Sequence, residues 1–389
     1  MNTAMMDYIC SWLVSHQQPM FDLLEKLVNL DSPSHQPELV RRVGNTLIDE
    51  FKYYGINAHW MTDPEGGICA EIGDPNIAPI CLTGHMDTVF KDGTVAKRPY
   101  QVQNQDAYGP GVADMKAGLV MNAYVLAAFA SWQQQYSTQL PWRLRFISTM
   151  DEEIGSPQGQ KVMQSLVAGA KAVFNAEPGR ISGNVVSARK GGDSYVIEVH
   201  GRASHAGVSH ADGVSAIEAL ARIVIAIHQL TDYEKGITTN IGVIQGGTTP
   251  NTVAAYACAK LDVRYMDASQ RVQLIEALEQ CVARHGMQGI QATLKHVAGF
   301  VPFESKMSAS LLAIYKQQAT QLGIKVDGEF TGGCSDAGWT SAMGIPTLCG
   351  TGPVGEKMHT DLECCHLDTF VDRAQIVARC CIQLNSVSE

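Results

Sequence analysis

The spacing of apolar and polar residues predicts two kinds of segment in the first part of the chain: amphipathic helices and short apolar strands. The predicted helices are residues 16–31, 36–54 and 114–131, and Asp114 is predicted to be the N-cap of the last one. The predicted strands are residues 79–84, 143–149 and 171–176. Because helices and strands alternate, we expect an α/β layered domain with a mixed, largely parallel sheet.

The pattern changes near Lys190, where the order of predicted elements becomes β-α-β-β-α-β, typical of a ferredoxin-like domain. These elements are strand 194–201, helix 213–230, strands 237–245 and 252–265, helix 268–285 and strand 290–297. Alternation then resumes with helix 308–323, a strand around 325–330 and a final helix 368–386. A chain of 389 residues is long enough for two domains. We therefore expect a catalytic domain of residues 1–189 and 300–389, interrupted by a lid of residues 190–299.

Composition narrows the class of protein. Hydrophobic residues make up 45% of the chain and charged residues 17%, as in a globular protein with a sizeable core. A formal charge of −10 disfavours binding to nucleic acid or to anionic membranes. The eleven cysteines are odd in number and form no CxxC pair, so they predict reduced thiols. With no recognisable signal peptide and no run of about 18 apolar residues, we expect a cytoplasmic protein.

Acidic residues and histidines collect at the ends of predicted elements and in a late glycine-rich loop. Besides Asp151, they include seven candidate site residues: His85, Asp87, Asp114, Glu152, Glu153, Glu177 and His359. Ligands of open α/β sheets gather at the carboxyl ends of strands, so these side chains can converge. Imidazole and carboxylate are zinc ligands, and a catalytic zinc site keeps one position open for water.

The spacing of these residues suggests a division of roles. Asp87 lies two residues beyond His85 on an extended strand, so it can accept the second imidazole N–H. Of the neighbours Glu152 and Glu153, one can bind metal while the other takes a proton from the attacking water. Each feature alone has an ordinary structural explanation, such as a helix cap or a solvated acidic pair. Their joint occurrence at element ends favours a metal site.

Seven motifs resemble a known family in sequence and order: GHMDTV, GVADMKAG, TMDEEIGS, AEPG, GRASHAG, TGGCSDA and MHTD. The family is that of the dinuclear zinc hydrolases, which includes acetylornithine deacetylase, succinyl-diaminopimelate desuccinylase and the glutamate carboxypeptidases, the last being the most similar type. The resemblance covers nearly the whole chain. It implies a zinc domain interrupted by a ferredoxin-like lid, with two zinc ions per chain that cobalt or manganese can replace.

The resemblance also implies a role for each site residue. Asp114 would bridge the two zinc ions, and Glu152 would be the general base and acid. Asp87 would orient the first histidine. Besides Asp114, His85 and Glu177 would bind one zinc ion. Glu153 and His359 would bind the other.

In the lid, the resemblance implies that His205 polarises the scissile carbonyl, often across a dimer interface, and that Asn251 and Arg264 bind substrate. The residues alone leave alternatives open. His205 can be an ordinary polar side chain, and Arg264 can extend to solvent. The turn at Gly333 can present backbone N–H groups to a carboxylate or be only a turn. Arg189, at the expected hinge, is interpreted as solvated.

These inferences together predict a zinc-dependent hydrolase that cleaves an amide or peptide bond next to a free carboxylate. Glu177, where related aminopeptidases tend to have Asp, favours a carboxypeptidase or an N-acyl-amino-acid deacylase. The alternatives are a di- or tripeptide aminopeptidase and a non-catalytic binding member of the family. The expected partners are a small carboxylate-bearing peptide or N-acyl amino acid and a second copy of the chain, paired through the lid.

Overall fold

The computed structural model describes residues 2–284 and 286–386. These residues form two compact units. The first unit contains the described residues up to 188, residues 303–331 and the described residues from 335 onward. The second contains residues 189–284, 286–302 and 332–334. Residues 332–334 therefore group with the second unit, whereas the expected boundaries put them in the first domain.

The helices, in chain order, are α1 Asn2–Ser15, α2 Gln17–Val28, α3 Pro37–Tyr53, α4 Thr94–Lys97, α5 Ala117–Tyr136, α6 Gly159–Val167, α7 Ala216–His228, α8 Ala268–Ala283, α9 Ser305–Gln321, α10 Ala337–Ala342 and α11 Phe370–Ser386. The strands are β1 Ala58–Thr62, β2 Glu65–Gly73, β3 Pro79–His85, β4 Gln101–Gln103, β5 Asp106–Tyr108, β6 Arg143–Thr149, β7 Ala172–Asn175, β8 Val185–Arg189, β9 Gly191–His200, β10 Thr238–Gly246, β11 Tyr256–Tyr265, β12 Gln291–Phe300, β13 Gly328–Thr331, β14 Thr347–Leu348, β15 Gly355–Glu356 and β16 Cys364–His366.

The first unit is built on a six-stranded sheet with the order β1-β2-β6-β3-β7-β14. The four strands β6, β3, β7 and β14 are parallel, and β1 and β2 add an antiparallel edge. This confirms the predicted mixed, largely parallel sheet. Both faces are covered: Leu144 and Phe146 of β6 join one apolar core, and Ile147 joins another on the opposite face. Burial on both faces explains why these strands read as continuous apolar runs.

The central helix α5 lies in the larger core of the first unit. Among the described residues, one helical stretch, Val112–Tyr136, has the length and apolar composition to cross a membrane. In the structure, 94% of its most apolar window is buried inside the protein. Helices α1 and α11 pack against it. Its apolar surface on every side is therefore used within the protein.

The second unit is a four-stranded antiparallel sheet with the order β10-β11-β9-β12, covered by α7 and α8. The element order and strand order confirm the predicted ferredoxin-like fold. Asp193 is buried in this unit and accepts hydrogen bonds from three side chains at 2.8–3.0 Å: Arg271, His296 and Tyr265. Although burial raises the pKa of Asp193, the hydrogen bonds from Arg271 and His296 outweigh it and leave the pKa below its usual value.

Several elements were not predicted from the sequence. Helix α1 buries Met5, Ile9 and Leu13, spaced by four residues, against the core of the first unit. The hairpin β1–β2 turns at Asp63 and Pro64. A second sheet in the first unit, ordered β15-β16-β5-β4, consists of strands of two or three residues. Strands this short are below the length at which a period of two can be recognised.

Candidate active site

Three neighbouring strands bring the predicted site residues to one edge of the first unit's sheet. Strand β3 ends at His85, β6 is followed by Glu152, and β7 is followed by Glu177. Strand β3 lies between β6 and β7 and is parallel to both. Because parallel strands end at the same edge, side chains far apart in sequence meet there.

Two histidines face opposite oxygens of one carboxylate. His85 Nε2 lies 3.2 Å from Asp114 Oδ1 and 3.9 Å from Glu177 Oε1. His359 Nε2 lies 3.4 Å from Asp114 Oδ2 and 3.2 Å from Glu153 Oε2. The five residues predicted as metal ligands therefore lie together as two sets of three that share Asp114.

Asp114 does not cap α5, so that part of the sequence prediction is wrong. Its backbone is extended (φ −113°, ψ 91°), Met115 is also non-helical, and α5 begins only at Ala117. Its carboxylate turns instead toward His85 and His359. Although burial raises the pKa of Asp114, the hydrogen bonds from His359 and His85 outweigh it and hold the pKa below its usual value. Asp114 is thus ionised at neutral pH.

Asp87 ties the histidine on β3 to the acidic pair after β6. His85 Nδ1 lies 3.0 Å from the backbone oxygen of Asp87 and 3.3 Å from its Oδ1. The carboxylate of Asp87 also accepts the backbone N–H groups of Glu152 and Glu153, both at 3.1 Å, and the hydroxyl of Ser34 at 2.6 Å. Its position suits the predicted orienting role, and its bonds to the acidic pair were not anticipated.

Glu152 is almost fully buried beside His85 and Glu177, with their potential ligand atoms all within 4.8 Å of one another. Burial raises the pKa of Glu152 well above its usual value, and the charge of Glu177 adds to the rise. A carboxyl group with a raised pKa can accept and return a proton near neutral pH. The position and the pKa of Glu152 both suit the predicted general base.

A metal ion fits this group of side chains. The donors are imidazole nitrogens and carboxylate oxygens, which zinc prefers. The buried Oε1 of Glu153 receives no hydrogen bond from any residue within 2–284 or 286–386. The hydrogen bonds of His359 to Asp114 and Glu153 raise its pKa to about 10. Without a metal ion, the ring is therefore protonated, and its positive charge offsets part of the charge of these carboxylates. A bound cation would satisfy the Glu153 oxygen and offset the negative charge in place of protons.

The predicted residues of the lid lie in the second unit. His205 is exposed, and its Nδ1 accepts the backbone N–H of Gly207 at 3.1 Å. The loop with Asn251 lies beside it, because Ala206 donates its N–H to the Asn251 carbonyl at 2.9 Å. The structure thus brings His205 and Asn251 together.

Arg264 does not simply extend to solvent. Its Nε and Nη2 donate to both oxygens of Asp262 at 2.9 and 2.8 Å, and its Nη1 lies 2.8 Å from Cys334 Sγ. Arg189 is buried, and it donates to the carbonyls of Gly333 and Cys334 at 3.2 and 3.0 Å. The interpretation of Arg189 as solvated is therefore wrong. It fixes the turn at Gly333, which itself is exposed.

Two buried charged residues near the metal-ligand group were not found from the sequence. Glu363 is fully buried and accepts the backbone N–H groups of Ala113 and Asp114 at 2.9 and 3.0 Å, and that of Gly111 at 3.3 Å. Lys116 is also buried and donates to two backbone carbonyls. Both hold the backbone around Asp114. The sequence feature that could have identified them is a charged residue with apolar neighbours at each position.

Comparison with known proteins agrees with this geometry. Residues 81–383 match Peptidase family M20/M25/M40. Carboxypeptidase G2 from Pseudomonas sp. (strain RS-16) is 27% identical over 370 residues, which cover 91% of this chain and 86% of that protein. Acetylornithine deacetylase from Shigella sonnei (strain Ss046) is 27% identical over 287 residues, covering 68% and 72% of the two chains.

Among solved structures, the fold resembles that of aminopeptidase PepT from Bacillus cereus ATCC 10987. The TM-score is 0.73 at 22% sequence identity, and the match covers 95% of this chain and 99% of that one. At this identity the likeness speaks for the fold alone. The family match covers most of the chain and includes all seven residues that the sequence placed at the metal centre. This protein therefore belongs to Peptidase family M20/M25/M40 and is a hydrolase of peptide or amide bonds.

Proposed function

We propose that this hydrolase cleaves a peptide or amide bond next to a free carboxylate, in a small peptide or an N-acyl amino acid. The observation that carries the proposal is the pair of ligand sets sharing Asp114, with buried Glu152 beside them. Such an arrangement places a proton-transfer group next to metal ligands, as hydrolysis by water requires. The names of two relatives, a carboxypeptidase and an acetylornithine deacetylase, support this choice.

The proposal includes two zinc ions per chain. His85, Asp114 and Glu177 would hold one, and Asp114, Glu153 and His359 the other. Bound zinc polarises a carbonyl oxygen and makes water more acidic. Two metal ions would account for two histidines turned to opposite oxygens of Asp114.

Glu152 would accept the proton of the attacking water and return it to the leaving nitrogen. Its raised pKa suits both steps, because the group can carry the proton without losing it at once to solvent. Asp87 would hold the backbone of Glu152 and the ring of His85 in place. His205 and Asn251 would contact the substrate at the scissile bond, and Arg264 would pair with its carboxylate. Asp262 holds that guanidinium plane in a fixed orientation.

The experiment is a panel of matched substrates assayed with added zinc. It contains peptides with C-terminal Glu or Asp, the same peptides as C-terminal amides, and N-acyl amino acids. We expect turnover to require the free carboxylate and to tolerate a blocked amino group. Equal turnover of the carboxylate and amide forms would refute the proposal, and loss of turnover on blocking the amine would favour the aminopeptidase alternative.

We also propose a homodimer paired through the second unit, in the cytoplasm. Strand β10 is an edge of that unit's sheet, and its Val243 and Ile244 are 42% and 57% exposed. An exposed apolar edge strand favours pairing with another chain. The test mixes His205→Ala and Glu152→Ala chains under conditions of subunit exchange. Recovered activity supports a shared site, and proven exchange without recovery contradicts it.

A further inference from the structure

A second cluster of metal-ligand types lies on the small sheet of the first unit. Cys364 and His366 alternate along β16, so both side chains lie on one face. Glu356 on β15 is paired with Cys364, and Asp106 on β5 is paired with His366. None of these four residues belongs to the two ligand sets around Asp114.

Three atoms of this cluster point toward a common centre. Glu356 Oε1 lies 3.7 Å from His366 Nε2 and 3.8 Å from Cys364 Sγ, and all three lie within 4.8 Å of one another. His366 Nε2 is buried, and no described residue, within 2–284 or 286–386, forms a hydrogen bond with it. A buried imidazole nitrogen without a partner is costly, so this atom points to a missing ligand.

The other ring nitrogen of His366 is already fixed. Its Nδ1 lies 2.6 Å from Asp106 Oδ1, so the carboxylate accepts a hydrogen bond from Nδ1–H, and Nε2 keeps the free lone pair. A carboxylate behind a histidine in this way is the usual support of a metal-binding imidazole. In this tautomer the lone pair of Nε2 has no hydrogen-bond donor, and this lone pair is what a metal ion would bind.

The separations of these atoms are compatible with one shared metal ion, and only the contact from the Cys364 thiol to Glu356 Oε1 is short enough for a hydrogen bond. Zinc bond lengths are about 2.3 Å to sulfur and about 2.0–2.2 Å to nitrogen or oxygen, so tetrahedral geometry separates ligand atoms by roughly 3.3–3.7 Å. The separations of 3.7 and 3.8 Å are close to this range. A hydrogen bond from imidazole to carboxylate would be shorter than about 3.2 Å.

A reactive thiol is the main alternative explanation of the cluster. Burial and the charges of Glu356 and Asp106 raise the pKa of Cys364 to about 11. A nucleophilic cysteine needs the opposite shift, toward thiolate at neutral pH. The cluster is therefore a poor nucleophile, whereas a bound cation would deprotonate the thiol directly.

We propose that Glu356, Cys364 and His366 bind a zinc ion that is separate from the catalytic centre. The two strands they occupy enclose residues 357–363, which carry His359 and Glu363. A metal ion joining the two ends of this loop fastens it at its base. Half-exposed Glu356 leaves a route for the ion to enter and for water to serve as the fourth ligand. The ion has a structural role, holding the loop that supplies a catalytic-site histidine.

Cobalt is the probe that distinguishes this site from the catalytic one. Cobalt bound to thiolate has a near-ultraviolet charge-transfer band, and none of the five proposed ligands of the catalytic centre is a cysteine. The full chain, stripped of metal, is titrated with Co²⁺. Because the two sites around Asp114 also take up cobalt, we expect the thiolate band to saturate by three equivalents per chain, with the intensity of one cobalt–thiolate bond. Absence of the band in the unmodified chain overturns the proposal without the need for a variant.

Two matched variants locate the site. Cys364→Ala should lose the thiolate band and hold one zinc ion fewer per chain by elemental analysis. Cys365→Ala should keep both, because its side chain lies on the opposite face of β16 in the hydrophobic core. Circular dichroism checks that both variants fold. A band that survives in Cys364→Ala, or that is lost equally in both folded variants, contradicts the assignment.

Discussion

Asp87 should control metal affinity through His85 and the acidic pair, and Asp87→Asn tests this. The carboxylate oxygen Oδ2 accepts the N–H of Glu153 and the hydroxyl of Ser34, and Oδ1 accepts the N–H of Glu152. With the amide nitrogen in place of Oδ2, the Ser34 hydroxyl can rotate and accept. The Glu153 N–H cannot, so it faces a second donor. Loss of that one bond to a charged acceptor costs about 1.5–3 kcal/mol of unfolding free energy.

A second buried aspartate provides the matched control. Asp151 also uses both oxygens, accepting the N–H groups of Gln158 and Gly159 at 2.7 and 2.9 Å. Asp151→Asn loses one such bond as well, so its stability cost should again be about 1.5–3 kcal/mol. Asp151 forms no hydrogen bond with a histidine or acid of the ligand sets, as far as the described residues go.

The two variants should therefore separate stability from metal binding. Urea denaturation of metal-free protein measures the first, and zinc competition against a chelator measures the second. We expect similar destabilisation in both variants, but a zinc affinity about 10–100-fold lower only in Asp87→Asn, which disturbs groups supporting the ligands. If Asp87→Asn binds zinc like Asp151→Asn, Asp87 only stabilises the fold, and the orienting role is refuted.

Three further predictions concern other parts of the chain. Glu152→Gln should keep its metal, measured by elemental analysis, while turnover falls by about 10²–10⁴-fold; loss of metal instead would make Glu152 a ligand. Gly118→Ala should lower the unfolding free energy by about 1–3 kcal/mol, because a Cβ there would lie 2.0 Å from the Ala176 carbonyl oxygen. Its control, Gly332→Ala, places the Cβ in open space and should leave the unfolding free energy unchanged in the same denaturation assay. Asp193→Asn should be less stable than the unmodified chain at pH 7 by about 1–3 kcal/mol. Because the folded pKa of Asp193 is lowered, its contribution is complete above the unfolded value of about 3.9 and is lost as pH falls through the folded value. The difference between the two chains should therefore shrink in denaturation measured near pH 3, and a constant difference would contradict the assignment.

The order of elements was predictable wherever the apolar pattern was long. Strands β3 and β6 and both helices of the second unit were expected within a few residues of their observed bounds. Their patterns are set by burial on one or two faces, which a single sequence records directly. The short strands β15 and β16 were not predicted from the sequence. They have only two or three residues each, and β16 forms strand pairs with β5, which is distant in sequence.

The convergence of the site residues was predictable for a similar reason. Parallel strands end at one edge, so His85, Glu152 and Glu177 had to lie near one another once the sheet was assumed. The residues that support them were not predictable. Arg189 reaches backbone carbonyls at residues 333 and 334, and no local pattern records a partner so far along the chain.

Asp114 and Glu363 together explain where local sequence reasoning fails. An acid before an apolar helical run normally caps it, which stabilises a helix by about 0.5–2 kcal/mol. Asp114 leaves that role to face two histidines, and an acid 249 residues away accepts the backbone N–H groups beside it. The buried N–H groups of Ala113 and Asp114 do find an acceptor, as such groups must, but it is an acid far along the chain. A local motif can state which groups must be paired, whereas only the fold decides which residue pairs them, and a catalytic site is where the nearest residue is most often needed elsewhere.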